Sequence, residues 1–129
     1  MAIHERRVPL LGVFVYMIDT VADAKAFINQ LTTLPPGEEE KQVDQCKGVF
    51  YAVTDAEGMQ YRMMCVFDGL LNTAAHEAVH TAWATVTYCS IKITESNHEV
   101  MAYLAAWLTE EMVLILFPPE PVVVQWPQP

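Results

Sequence analysis

Two histidines four positions apart are the side chains in this chain best suited to chemistry. The segment HEAVH at 76–80 places His76 and His80 one turn apart on the same side of a helix, where both imidazoles can bind one metal ion. Glu77, about 100° around the helix from His76, is long enough to reach a water on that metal as a general base. The pattern therefore predicts a zinc site of the catalytic type.

A catalytic zinc ion usually takes three protein ligands and keeps one position open, so a third ligand is needed. We favour Glu99 for this role. An alternative stays open for it, because Ser96 and Glu99 have the spacing of a capping box, in which the glutamate returns to the Ser96 amide. Asn97 as the cap would free Glu99. The downstream candidates considered are Glu95, His98, Glu99, Glu110 and Glu111.

The motif together with Glu99 resembles that of the gluzincin metallopeptidases, whose third zinc ligand is a glutamate on the next helix. The segment NHEVMA at 97–102 is similar to that element, with Glu99 nineteen positions after His80. The region from about 48 to 116 resembles small zincin-like proteins encoded by bacteriophages. The resemblance implies a zincin-like fold, zinc held by His76, His80 and Glu99, and Glu77 as the base of a peptidase.

This chain departs from the gluzincin pattern at one informative position. Tyr103 stands four residues after Glu99, where thermolysin-type enzymes usually carry an aspartate that supports a zinc histidine. Tyr103 and Tyr88 are therefore our candidates for supporting a zinc ligand or stabilising an oxyanion. The substrate-binding module of the larger enzymes does not fit in the remaining residues, so the sequence favours metal binding more strongly than turnover.

The predicted strands and helices indicate an α+β fold. In this fold a small, mainly antiparallel sheet packs on the motif helix and on the following helix, which carries Glu99. Residues 1–117 are expected to form the domain, 118–129 a Pro-rich extended tail, and 37–45 a solvated loop. We expect Trp83 and Trp107 to pack in the interior. The predicted strands are 8–18, 48–54 and 59–67, and the predicted helices are 21–31, 70–88 and 96–117.

Composition narrows the class of protein. The chain has 129 residues, of which 53% are hydrophobic and 18% charged, as expected for one globular domain. A net charge of −9 with seven basic residues argues against nucleic-acid binding. Glu110 and Glu111 interrupt the longest apolar helix, which argues against a membrane span, and no signal peptide is evident. Cys46, Cys65 and Cys89 are unclustered, as expected for reduced thiols in a cytoplasm.

Two functions remain open at this stage. One is a zinc metallopeptidase that acts on a peptide or protein, with the substrate added as an antiparallel strand along 59–67. The other is a non-catalytic phage structural or assembly protein, of the virion or tail, that keeps the zinc site. Such a protein would contact other phage structural proteins, or itself, through the 118–129 tail. Either would work in the host cytoplasm, and the second would also be virion-associated.

Overall fold

The described part of the chain contains a four-stranded sheet covered by helices, as the predicted α+β class requires. The computed structural model describes residues 1–32, 43, 46–120 and 127–128. The predicted loop at 37–45, apart from Val43, and most of the predicted tail lie outside the described residues. The described elements are β1 (His4–Arg7), β2 (Phe14–Ile18), α1 (Val21–Leu31), β3 (Gly48–Thr54), β4 (Gln60–Val66), α2 (Leu71–Tyr88) and α3 (His98–Leu116).

The four strands form one sheet in the order β1-β2-β4-β3. The pairs β1/β2 and β3/β4 are antiparallel and the central pair β2/β4 is parallel, so the prediction of a mainly antiparallel sheet is confirmed. The β3/β4 hairpin closes on Asp55, whose side chain accepts hydrogen bonds from the Glu57 and Met59 amides. Gly58 completes this turn with a φ of +85°, which glycine adopts without strain.

The prediction of one continuous strand over 8–18 is wrong. A tight turn fills its first half, where the Val8 amide donates to the Val13 carbonyl and the Gly12 amide to the Val8 carbonyl. Leu10 and Gly12 both have positive φ, which no strand residue adopts. The apolar residues there turn back instead of extending, and β1 and β2 consequently pair as a hairpin.

Helices cover both faces of the sheet, and successive side chains of β4 point alternately to one face and the other. Met63 and Cys65 point into a cluster with α1, whereas Met64 and Val66 point into a cluster with α2 and α3. The α2 side of that second cluster is made of alanines at every fourth position, with Leu104, Leu108 and Met112 supplying the α3 side. These alanines are Ala74, Ala78 and Ala82. Since this face of α2 is packed, His76 and His80 lie on its exposed side.

None of the helices in the described part of the chain is long and apolar enough to span a bilayer.

Candidate metal centre and adjoining groove

The two histidines of the motif converge on one point outside α2. Nε2 of His80 lies 3.2 Å from Nε2 of His76, and both rings are exposed. Two imidazole nitrogens bound tetrahedrally to one zinc ion, each about 2.0 Å from the metal, are separated by about 3.3 Å. The same distance suits an N–H···N hydrogen bond between two neutral rings. The pair therefore has the spacing of a zinc chelate, in which the metal would replace the shared proton.

Glu77 is buried beside this exposed pair. Its exposed fraction is 6%, and its Oε1 lies 3.9 Å from Nε2 of His76. Burial raises the pKa of Glu77 above its ordinary value, and the charges that His76 and His80 carry when protonated offset part of this rise. A carboxylate with an elevated pKa next to a metal-type ligand pair has the properties of a general base.

Gly48, at the start of β3, explains how α2 comes close enough to bury Glu77. A Cβ at this position would lie 2.8 Å from Cγ2 of Thr73, 2.9 Å from the Cys65 carbonyl oxygen and 3.0 Å from Cγ of Glu77. These distances are shorter than any normal contact. The missing side chain of Gly48 therefore lets the helix pack directly on the strand.

Replacing Gly48 with alanine is expected to destabilise the fold by about 1–3 kcal/mol, because the Cys65 carbonyl belongs to the backbone and cannot move aside easily. Urea unfolding of the metal-free protein measures the effect. Adding Thr73→Ser, which removes Cγ2, should recover only part of the loss. An alanine variant as stable as the parent would contradict this account of the helix–strand contact.

Two depressions meet at Gly48 and Glu77 and together form a groove between β3 and α2. The first has a volume of about 460 Å³ and the second about 420 Å³. The histidine pair lies on the α2 wall of this groove, one imidazole in each half. Cys46, Lys47, Asn72, Thr73 and His76 line the first half, and Val49, Phe50, His80, Trp83 and Ala84 line the second.

The strand wall of the groove has backbone groups that do not bond to β4. The Lys47 carbonyl accepts from the Phe67 amide and the Asp55 amide donates to the Met59 carbonyl, so the odd-numbered residues of β3 bond to β4. The amides and carbonyls of Gly48, Phe50 and Ala52 therefore face outward. Within the described residues no strand pairs with this edge. The prediction that a peptide adds along 59–67 is wrong, because β4 is flanked by β2 and β3.

Asp68 holds the start of α2, which positions the motif. Its carboxylate accepts from the Leu70 amide at 3.0 Å and from the Thr73 hydroxyl at 2.6 Å. The Thr73 hydrogen bond is the main reason that the pKa of Asp68 lies below its ordinary value. Leu70, at the N-cap position itself, has no side-chain oxygen to perform this task.

The lowered pKa of Asp68 predicts a specific pH dependence of stability. A carboxyl group with a depressed folded-state pKa stabilises the fold above its unfolded-state pKa, about 3.9, and this contribution is lost as the pH falls through the folded-state value. The melting temperature of Asp68→Asn should thus lie below that of the parent near neutral pH. The two should converge below about pH 4. A difference that stays constant across this range would contradict the assignment.

The structure does not bring Glu99 to the histidine pair. Helix α3 packs on the alanine face of α2, whereas the histidines point away from that face. The Glu99 side chain is 68% exposed, 3.8 Å from Nδ1 of His98. The capping-box alternative is not formed either, because the Ser96 amide donates to Oγ1 of Thr94.

Tyr88 and Tyr103, the other predicted site residues, also lie outside the groove. The Tyr88 ring stacks on the guanidinium of Arg62, 4.2 Å from the ring centroid, and Tyr103 lines an apolar pocket beside α3. Trp107 is half-buried against the core, as predicted. The prediction that Trp83 packs in the interior is wrong, since this side chain is exposed beside His80.

Several residues of the groove were not predicted from the sequence. Cys46, Lys47 and Gly48 precede a strand and carry no recognisable pattern. Trp83 follows His80 by three positions, and this helical spacing is the one signal that places it on the same side of α2.

Two imidazole nitrogens with the spacing of zinc ligands and one thiol, that of Cys46, line the groove. A Cys46 thiolate would be an ordinary zinc ligand. Across the part of the chain that the structure describes, however, no three His, Cys, Asp or Glu side chains lie close enough together to hold a metal ion. No protein-family profile, curated protein or solved structure matches this chain.

Proposed function

We propose that this protein is a zinc-dependent peptidase in which His76 and His80 hold the metal and Glu77 is the general base. One observation carries the proposal. Two imidazole nitrogens at chelating distance lie beside a buried carboxylate, on the wall of a groove along β3, which is the edge strand of the sheet among the described residues. In the described structure Glu99 is distant from the pair, so the proposal relies on the two histidines.

Each of these residues has a role in the proposed reaction. When bound, zinc supplies a Lewis acid that acidifies a water molecule and polarises a carbonyl oxygen. Glu77 accepts the proton of the attacking water and passes it to the leaving amine. Burial raises the pKa of Glu77, which favours its holding the proton between the two transfers.

An extended peptide is the substrate that the β3 edge accommodates. Outward amides and carbonyls at Gly48, Phe50 and Ala52 can pair with a peptide as a further strand, which brings its carbonyl groups alongside the histidine pair. The exposed Trp83 and the half-buried Phe50 give the second half of the groove an apolar wall. We infer a preference for an apolar side chain at that position of the peptide.

Cleavage mapping tests the proposed activity directly. Zinc-loaded protein is incubated with an unfolded protein, and the products are identified by mass spectrometry. We expect cuts at peptide bonds flanked by apolar residues, abolished by a chelator and restored by zinc. Absence of any metal-dependent cut would contradict the peptidase.

Substrate pairing at the β3 edge has its own test at Ala52. Ala52→Pro removes one outward amide, which proline tolerates at a sheet edge, and Ala52→Val is the matched control that retains the amide. One lost hydrogen bond predicts a decrease in kcat/KM of about 2- to 10-fold for the proline variant only. Equal kcat/KM in the two variants would show that the substrate does not pair with β3.

A phage structural or assembly protein that keeps the zinc site without turnover is the second candidate. The observation that favours it is a row of exposed apolar side chains on α3, which indicates association with another surface. Zinc binding without any hydrolysis would favour this candidate. For both candidates we propose a cytoplasmic location, since the three cysteines are free thiols.

A further inference from the structure

Helix α3 is apolar on its outer side as well as on its core side. Leu104, Leu108 and Met112 face the core. On the other side a second row repeats at intervals of three and four residues, the a/d spacing of a coiled-coil seam. This row, called here the outer stripe, consists of Val100, Tyr103, Glu110, Leu114 and Phe117, which are exposed, and of Trp107, which is half-buried at the edge of the core. Such a row of exposed apolar side chains is uncommon on a monomeric protein, and within the described residues it stands open to solvent.

The two halves of the outer stripe differ in shape. Its N-terminal half adjoins an apolar pocket of about 420 Å³ between α3 and the β1–β2 turn, with Val8, Leu11 and Tyr103 in its walls. Its C-terminal half projects Leu114 and Phe117, whose exposed fractions are 48% and 57%. The N-terminal half of the outer stripe therefore has an apolar pocket, and the C-terminal half has projecting apolar side chains that could fill such a pocket.

We propose that the outer stripe binds the outer stripe of a second copy of this chain in antiparallel orientation. A two-fold axis between residues 108 and 109 pairs Val100 with Phe117, Tyr103 with Leu114 and Trp107 with Glu110 of the other copy. Each pair joins an a position to a d position, as antiparallel coiled coils require. The same axis places Leu114 and Phe117 of each copy opposite the apolar pocket of the other, so the contact is self-complementary.

The acidic side chains of α3 favour the antiparallel orientation over the parallel one. In the antiparallel register Glu110 faces Trp107, an N–H donor, Glu111 faces Ala106, and no carboxylate meets another carboxylate. In a parallel register Glu99 and Glu110 would each face their own copy, whereas the charge of Glu111 is already paired with Arg6 of the same chain. For a chain with a net charge of −9, these like-charge contacts would oppose association.

Sedimentation equilibrium of the full chain over a range of concentrations tests the proposal, which is independent of the peptidase. We expect a dimer of the 14.5 kDa chain. Leu114→Glu should halve the mass, whereas Met59→Glu, at an equally exposed apolar residue of the β3–β4 turn, should leave it unchanged. Circular dichroism checks that both variants fold. A monomeric parent chain, whatever covers the stripe, would overturn the proposal, as would a dimer that survives Leu114→Glu.

Cysteine cross-linking tests the orientation, in a chain with Cys46 and Cys89 replaced by serine. Oxidation of a mixture of Val100→Cys and Phe117→Cys chains should give a mixed dimer, and neither variant alone should cross-link. Cross-linking of Val100→Cys to itself would overturn the antiparallel arrangement, because residues at the same position meet only in a parallel pair.

Discussion

Replacing Glu77 with glutamine is expected to lower kcat for peptide hydrolysis by roughly 10²–10⁴-fold while zinc remains bound. Glutamine is nearly isosteric, so the close packing of α2 on Gly48 is preserved. It cannot accept the proton of the attacking water. Peptide cleavage assays at matched zinc occupancy measure the change, and KM should change little, since Glu77 is not part of the β3 edge.

Glu99→Gln is the matched control for this substitution. It neutralises a carboxylate that is exposed and distant from the groove, so its kcat should equal that of the parent. A Glu77→Gln variant with unchanged kcat would exclude the proposed base. Loss of zinc from that variant would show instead that Glu77 holds the metal.

Removal of either histidine is expected to abolish stabilisation by zinc. A ligand that binds only the folded state raises its stability by about 2.7 kcal/mol at a concentration 100-fold above Kd. The melting temperature of the parent should therefore rise with zinc and fall again with a chelator. His76→Ala should show neither shift, because one remaining imidazole is a weak ligand by itself.

His98→Ala provides the control for this second prediction. His98 is an exposed histidine on α3, comparable in exposure to His76 and away from the groove. Its variant should respond to zinc as the parent does. A zinc response that persists in His76→Ala, or disappears in His98→Ala, would contradict the assignment of the metal to α2.

The helix that carries the motif was predictable because its alanines repeat with helical spacing and nothing in 71–88 breaks the helix. The hairpin of β3 and β4 was predictable from two β-rich segments joined by a turn ending in Gly58. The turn inside 8–18 was missed although Pro9 and Gly12 are typical turn residues, because the apolar residues around them favour a strand. The parallel pairing of β2 with β4 depends on where α1 packs, which no local pattern specifies.

The candidate site was predictable only within α2. His76, His80 and Glu77 are close in the chain, so helical geometry alone fixes their relation. The expectation that Glu99 joins them depended on which face of α2 receives α3. Helix α3 packs on the opposite face of α2, where Ala74, Ala78 and Ala82 have small side chains. The β3 wall of the groove comes from a segment distant from α2 in the chain. The glycine at position 48 is the one residue in the sequence that reflects the close contact between β3 and α2.

Bound metal per chain is the most direct test of the central claim. Elemental analysis of purified protein after zinc loading and gel filtration should give one zinc per chain in the parent and in Glu99→Ala, and close to none in His80→Ala. Zinc retained in full by His80→Ala, or absent from the parent, would contradict a metal centre on His76 and His80.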